Sequence, residues 1–434
     1  MASVPAGGVS YAVIRLRRAR LPRVRPERCI STWTMKARCR SHAPAAAVAA
    51  VLLGHSPLAF VTGFIFTEKY YARRPSGLHQ AIKSEVLRES DTCSVESLGI
   101  DIPSGLRQTL TANTQSAIHK RFWIVDNSGS TSLDDGHCLL TSNDNGDEEC
   151  SRWDEISETV ESHIHLASSL GAPSEFRLLN PPKNGGPLVR GPHRFRVGYG
   201  LNTPSQASKD RKRARNIMLR NEPSGRTPLP DSIREVRRDI IDMLPTLEEE
   251  GSKVCIVIAT DGQNTNKHNC GIEVQEKERQ EDLVAALDSL RGLPVCVVIR
   301  LCTDWQPTLT FYNELDKRLD WLDIDVLDDH ISEAEEVFEH NPWLTYARPL
   351  HRMREMGQDC RYFDLLDERP FCRREVKEFC ALLFGCSDLI YYDWESFPRE
   401  VDRLQKNERK QWNPKTNSLT RWIDIKSLAS VPEE

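Results

Sequence analysis

The stretch Phe122-Trp123-Ile124-Val125-Asp126-Asn127-Ser128-Gly129-Ser130 decides how this chain is read. Four consecutive apolar residues leave no polar face, the pattern of a strand buried on both sides of a parallel sheet. The run stops on a carboxylate. Polar groups then recur at every second residue, as Asp126, Ser128 and Ser130. Alternation in a loop that leaves a strand can aim those three oxygens at one point.

Working outward, similar apolar runs fill 253–260 and 294–301, with Val-Cys-Ile-Val-Ile-Ala at the centre of the first and Asp261 directly after it. Strands are also expected at 175–179 and 194–197. Between them lie segments with apolar residues at helical spacing. Trp153, Ile156, Val160, Ile164 and Ala167 make one such face, closed by Gly171 and Pro173. Ile233, Val236, Ile240 and Met243 make a second, and Leu283, Leu287 and Leu290 a third. Strands alternating with amphipathic helices predict a mostly parallel α/β sheet. The polar or Pro/Gly-rich stretches 134–150, 180–192 and 199–212 read as loops. Beyond Asp304 the pattern turns mainly helical, at 307–319, 331–339, 346–356, 371–384 and 394–406, with one last strand at 322–327. The chain thus divides into a head (1–67), an approach (68–117), an α/β domain (118–303) and a helical C-terminal extension (304–434).

Asp126-x-Ser128-x-Ser130 after a buried strand resembles the metal-ion-dependent adhesion site of von Willebrand factor type A domains. The family adds a threonine from a later loop, and Pro223-Ser-Gly-Arg-Thr227-Pro supplies one just before a helix. It also adds an aspartate at a later strand end, and Val257-Ile-Ala-Thr-Asp261-Gly supplies that. The resemblance implies a doubly wound, Rossmann-like three-layer sandwich. It further implies a divalent ion, Mg²⁺ or alternatively Mn²⁺ or Ca²⁺, held by Asp126, Ser128, Ser130, Thr227 and Asp261. In the family's strand order the two aspartates flank the topological switch point, where open α/β sheets place ligands. Mg²⁺ wants six hard oxygens and keeps water readily. Two carboxylates and neutral hydroxyls therefore leave a position for a carboxylate from a partner protein. The expected function is metal-dependent protein binding. The alternatives are a subunit of an ATPase or metal-chelatase assembly and a metal-dependent hydrolase. Without an ion, the same aspartates would serve as turn formers or helix caps. Two departures stand out: a long separation between Ser130 and Thr227, and Thr131 where family members often carry methionine.

Composition narrows the rest. The chain has 434 residues and a net charge of −5, with 39% apolar residues, so no global charge favours nucleic acid. Lys209–Arg215 is a short basic cluster without interleaved aromatics and reads as a solvated loop. The head carries a basic 36–40 segment after Met35 and a small-apolar run at 45–53, the layout of a signal or organelle-targeting segment. A membrane partner follows only if that segment is retained. Thirteen cysteines without a C-x-x-C pair are expected to be mostly reduced, with a Cys138–Cys150 disulfide open to a secreted chain. His163, His165, His340 and His351 read as surface or satisfied core histidines. Gly198-Tyr199-Gly200 lacks the rest of a phosphate loop, and no G-x-x-x-x-G-K-[ST] segment occurs. A haloacid dehalogenase-like phosphatase would need aspartate where Ser128 stands. No catalytic constellation emerges.

Overall fold

A computed structural model describes residues 102–108, 117–138, 148–181, 193–200, 203–262, 272–357 and 360–433. Strand β1 (Ile118–Val125) is followed by a hairpin of β2 (Gly136–Cys138) and β3 (Glu148–Cys150), then helix α1 (Arg152–Leu170). Next come β4 (Ser174–Leu178), β5 (Arg194–Val197), α2 (Pro204–Met218), α3 (Leu229–Glu250) and β6 (Lys253–Thr260). The series continues with α4 (Ile272–Asp288), β7 (Val295–Leu301), α5 (Gln306–Asn313), α6 (Leu315–Arg318) and β8 (Asp323–Leu327). Six strands form one sheet in the order β5-β4-β1-β6-β7-β8. Every pairing is parallel except β4 with β5. The chain winds outward from β1 to β5 and then returns to the other side of β1 as β6, so the winding reverses between β1 and β6.

The apolar runs behave as a strand buried on both faces should. Trp123, Val125, Val257 and Val298 face α1 and α2, where they meet Trp153, Val160 and Ile217. Phe122, Ile124, Ile256 and Ile299 face α3 and α4, where they meet Ile233, Val236 and Leu287. Burying each such side chain is worth roughly 1.5–3 kcal/mol. Sheet and helices thus make three layers. Trp123 stacks on Phe176 and Phe176 on Phe195, tying the antiparallel edge to the centre. Helix α1 opens with a capping box, Ser151 with Asp154, and closes on Gly171 in the left-handed conformation. Gly198 also has positive φ, and a Cβ there would lie 2.2 Å from the Ala172 carbonyl oxygen. Packing, rather than phosphate binding, accounts for that glycine.

The structure departs from expectation in three places. The polar stretch at 199–212 is not a loop: Thr203 caps α2, Pro204 starts it, and Ala214, Ile217 and Met218 are its buried contacts. The basic cluster therefore lies on a helix. The sheet also takes in β8, from the segment grouped with the extension. Finally, 134–150 is not simply loop, since β2 pairs with β3 and Cys138 is disulfide-bonded to Cys150. Among the described residues the other seven cysteines are free thiols. The head lies outside the described residues, as does most of the approach. No helix among the described residues is long and apolar enough to cross a membrane.

The extension holds α7 (His330–His340), α8 (Arg348–Glu355), α9 (Arg361–Leu365), α10 (Arg373–Phe384), α11 (Phe397–Gln405) and a hairpin of β9 (Gln411–Asn413) with β10 (Ser418–Thr420). Its core gathers Trp343, Leu350, Met353, Phe363, Phe379 and Trp422. A buried charge joins it to the sheet. Glu355, at the end of α8, accepts from Arg352 at 2.7 and 2.8 Å and from Arg300 of β7 at 3.1 Å. It also meets His163 of α1 at 2.7 Å. Burial pushes the Glu355 carboxyl up, but Arg352, His351 and His163 outweigh it and hold it well below its ordinary range. His163 is thus a satisfied core histidine, while His351 is a buried one with Nε2 3.3 Å from the same carboxylate, and both are pushed down by burial. Next to this hub, Arg121 Nε donates to the Met356 carbonyl at 3.0 Å. Removing one member of such a cluster strands the others in a dry interior. Glu355→Ala is expected to cost about 3–5 kcal/mol in urea unfolding. A loss below about 1 kcal/mol would show that the hub does not hold the layers together.

Candidate functional site

The carboxyl ends of β1 and β6 lie side by side because Val125 pairs with Ala259. Asp126 follows the first strand and Asp261 the second, and both are fully buried. The backbone N–H of Asp126 continues the ladder to the Ala259 carbonyl at 2.9 Å. Its side chain is fixed from two sides. The Ser128 N–H donates to Oδ1 at 2.9 Å, and the Thr260 hydroxyl donates to Oδ2 at 2.6 Å. The hydroxyls of Ser128 and Ser130 lie 3.0 Å apart. Alternation in the loop after β1 therefore does bring its polar groups to one side.

The loop that carries Thr227 is docked against this one. Ser224 N–H donates to the Asn127 carbonyl at 2.7 Å, and Gly129 N–H to the Gly225 carbonyl at 3.2 Å. Asn180, after β4, accepts from Asn127 Nδ2 on its carbonyl and donates its own Nδ2 to the Arg226 carbonyl. Gly225 has φ +89°, and a Cβ there would strike the Asn180 side chain at 2.4 Å. That close approach explains the glycine of Pro223-Ser-Gly-Arg-Thr227. Thr227 is fully buried in this loop. The long insertion between Ser130 and Thr227 thus leaves the two loops in contact.

Electrostatics make the arrangement costly by itself. Burial, with the nearby Asp261 adding to it, pushes the Asp126 carboxyl up to about 7. Arg152, the first residue of α1, reaches Asp261 Oδ2 at 3.1 Å and grips Asp135 at 2.6 and 2.7 Å. The Tyr312 phenol is pushed far up by burial and then by Asp126 and Asp261. Its buried hydroxyl has no hydrogen-bond partner among the described residues. Sequence reading missed both Arg152 and Tyr312. The Arg152–Asp261 pairing spans more than a hundred residues, and neither residue carries a local pattern.

Further along the carboxyl edge of the sheet, a second group of ligating side chains gathers. His137, Asp304 and Asp329 place one donor atom each within 4.8 Å of one another. Sequence reading missed this set as well, because its members lie far apart in the chain and none sits in a motif.

No protein-family model matches the chain, and no curated protein matches it. Among solved structures it is similar to a mutant of the PilB minor pilin from Streptococcus sanguinis, at 10% identity and a TM-score of 0.33. The match covers 50% of this chain and 57% of that one, a likeness too slight to carry any inference about fold or function.

The raised Asp126 carboxyl makes a signed prediction. Its folded value of about 7 lies above its ordinary 3.8, so the folded chain holds the extra proton between those values. Without divalent ions, this group's contribution to stability therefore falls as pH rises through that window. Asp126→Asn cannot ionise. In chelator it should gain on the wild type with rising pH, by on the order of 1 kcal/mol or more at about pH 8. Parallel pH profiles for the two chains in denaturant melts would rule this out.

Proposed function

We propose that this chain is a von Willebrand factor type A-like binding module that holds a divalent ion, Mg²⁺ first, and through it captures an acidic side chain of a partner protein. The observation that carries the reading is the pairing of two fully buried aspartates, Asp126 and Asp261, at adjacent carboxyl strand ends where the winding reverses. That crevice is where open α/β sheets take ligands, and the residues there fit a hard cation. The donors are all oxygens: two carboxylates, the paired hydroxyls of Ser128 and Ser130, and the hydroxyl of Thr227 from the docked loop. An orphaned Tyr312 hydroxyl beside the carboxylates fits a site whose hydrogen-bonding complement includes a further polar group.

Each residue has a definable part. Asp126 supplies charge, oriented by the Ser128 N–H and the Thr260 hydroxyl. Ser128 and Ser130 supply neutral oxygens and Arg152 offsets the charge of Asp261, so the protein does not neutralise the ion fully. Asp261 already shares one oxygen with Arg152. It therefore serves through its other oxygen or through water. A bound divalent ion supplies an electrophilic position for a carboxylate oxygen. The partner is thus a protein that presents Glu or Asp. The loops that dock Thr227 shape which partner fits.

Binding to the folded state alone stabilises by mass action, about 2.7 kcal/mol at a hundredfold excess over Kd. Thermal unfolding of the full chain should shift upward with millimolar Mg²⁺ or Mn²⁺. The shift should disappear in Asp126→Ala and Asp261→Ala. It should also grow with pH, because the ion displaces the proton from Asp126. No shift in a folded wild type, or an equal shift in both variants, would sink the reading.

A further inference from the structure

We propose that His137, Asp304 and Asp329 form a separate transition-metal site of the zinc class, joining the disulfide-closed hairpin to the carboxyl ends of β7 and β8. The three come from three different elements: strand β2, the loop that leaves β7, and the cap of α7. His137 Nε2 lies 2.9 Å from Asp304 Oδ1. All three donor atoms fall within 4.8 Å of one another. Zinc–ligand bonds of ~2.0–2.2 Å bring donors to roughly 3–4 Å, so closure needs only small side-chain rotations.

One of the three ligating side chains, that of Asp329, is already oriented by other contacts, and the backbone that carries His137 is fixed. The His137 backbone N–H donates to Glu155 Oε2 at 3.0 Å, and its neighbour Cys138 is locked to Cys150. The Asp329 carboxylate accepts from the N–H groups of Ile331 and Ser332 at 2.8 and 3.1 Å and from the Ser332 hydroxyl. Asp304 is exposed and is held by its contact with His137 Nε2, which leaves the solvent side for water or a further ligand.

The donor chemistry selects the ion. One imidazole with two carboxylates suits zinc and its neighbours, whereas Mg²⁺ and Ca²⁺ prefer oxygen alone. A simple histidine–aspartate ion pair needs one carboxylate; here two converge on one imidazole. The His137 set shares no residue with the Asp126–Asp261 centre.

The test uses the full chain, Co²⁺ as a spectroscopic probe, and Zn²⁺ in competition with a chromogenic chelator. The expected result is one Co²⁺ per chain with ligand-field bands of nitrogen and oxygen donors, displaced by Zn²⁺ and unaffected by excess Mg²⁺. His137→Ala and Asp304→Asn should each weaken Zn²⁺ binding at least about tenfold, since even outer-sphere partners are worth that much. Asp304 is exposed, so its variant should fold normally, and circular dichroism would confirm this. Retention of Mg²⁺ stabilisation in Asp304→Asn would keep the two sites distinct. The proposal is overturned by absence of Zn²⁺ binding, by unchanged affinity in both variants, or by thiolate-to-cobalt charge-transfer bands, which would place the ion on cysteine.

Discussion

The parallel pairing of β1 with β6 is the constraint on which the rest of this structure depends. Its register, Val125 opposite Ala259, sets Asp126 and Asp261 beside each other at the sheet's carboxyl edge. The same register sends Trp123 and Val257 to one helical layer and Phe122 and Ile256 to the other. A slip of one residue would exchange the two faces and separate the aspartates at once. Packing therefore protects the arrangement of carboxylates, although the carboxylates contribute nothing favourable to packing. Their burial is a cost that the interior of the fold bears.

That cost is met in a graded way along the carboxyl edge. Arg152 balances Asp261 and turns its remaining donors to Asp135. Arg300 balances Glu155 and Glu355. Asp126 has hydrogen bonds from Ser128 and Thr260 but no cation among the described residues, and burial pushes its carboxyl up to about 7, as it pushes Asp328 after β8 up to about 6. The edge thus holds acids paired with a guanidinium, such as Asp261, beside Asp126, which has hydrogen bonds alone. We read that difference as the physical basis of the proposed ion binding.

Much of the sheet is legible in the sequence because its signal is local. The second half of β1 and most of β6 and β7 are apolar runs, and α1 and α3 carry regular apolar stripes. The candidate residues Asp126, Ser128 and Ser130 are equally local, being adjacent in one loop. Helix α2 escaped notice because only Ala214, Ile217 and Met218 are buried in an otherwise polar segment. The link between the loops of Ser128 and Thr227 depends on Gly225 and Asn180, which are 45 positions apart. The His137 set and the Glu355 hub join residues more than a hundred positions apart, at sites with no periodicity. Distant polar pairing is fixed by topology, and a single sequence does not display topology directly.

The hub at Glu355 also has a consequence for synthesis. Domains generally fold as units while the chain emerges from the ribosome, N-terminal parts first. Here the β7 arginine and the α1 histidine obtain their anion from a residue 55 positions beyond the first of them. The emerging sheet must wait, with Arg300 and His163 lacking that partner, until α8 has left the exit tunnel. Translation would pass through a stage at which the strands exist while Arg300 pairs with Glu155 alone and His163 lacks its carboxylate.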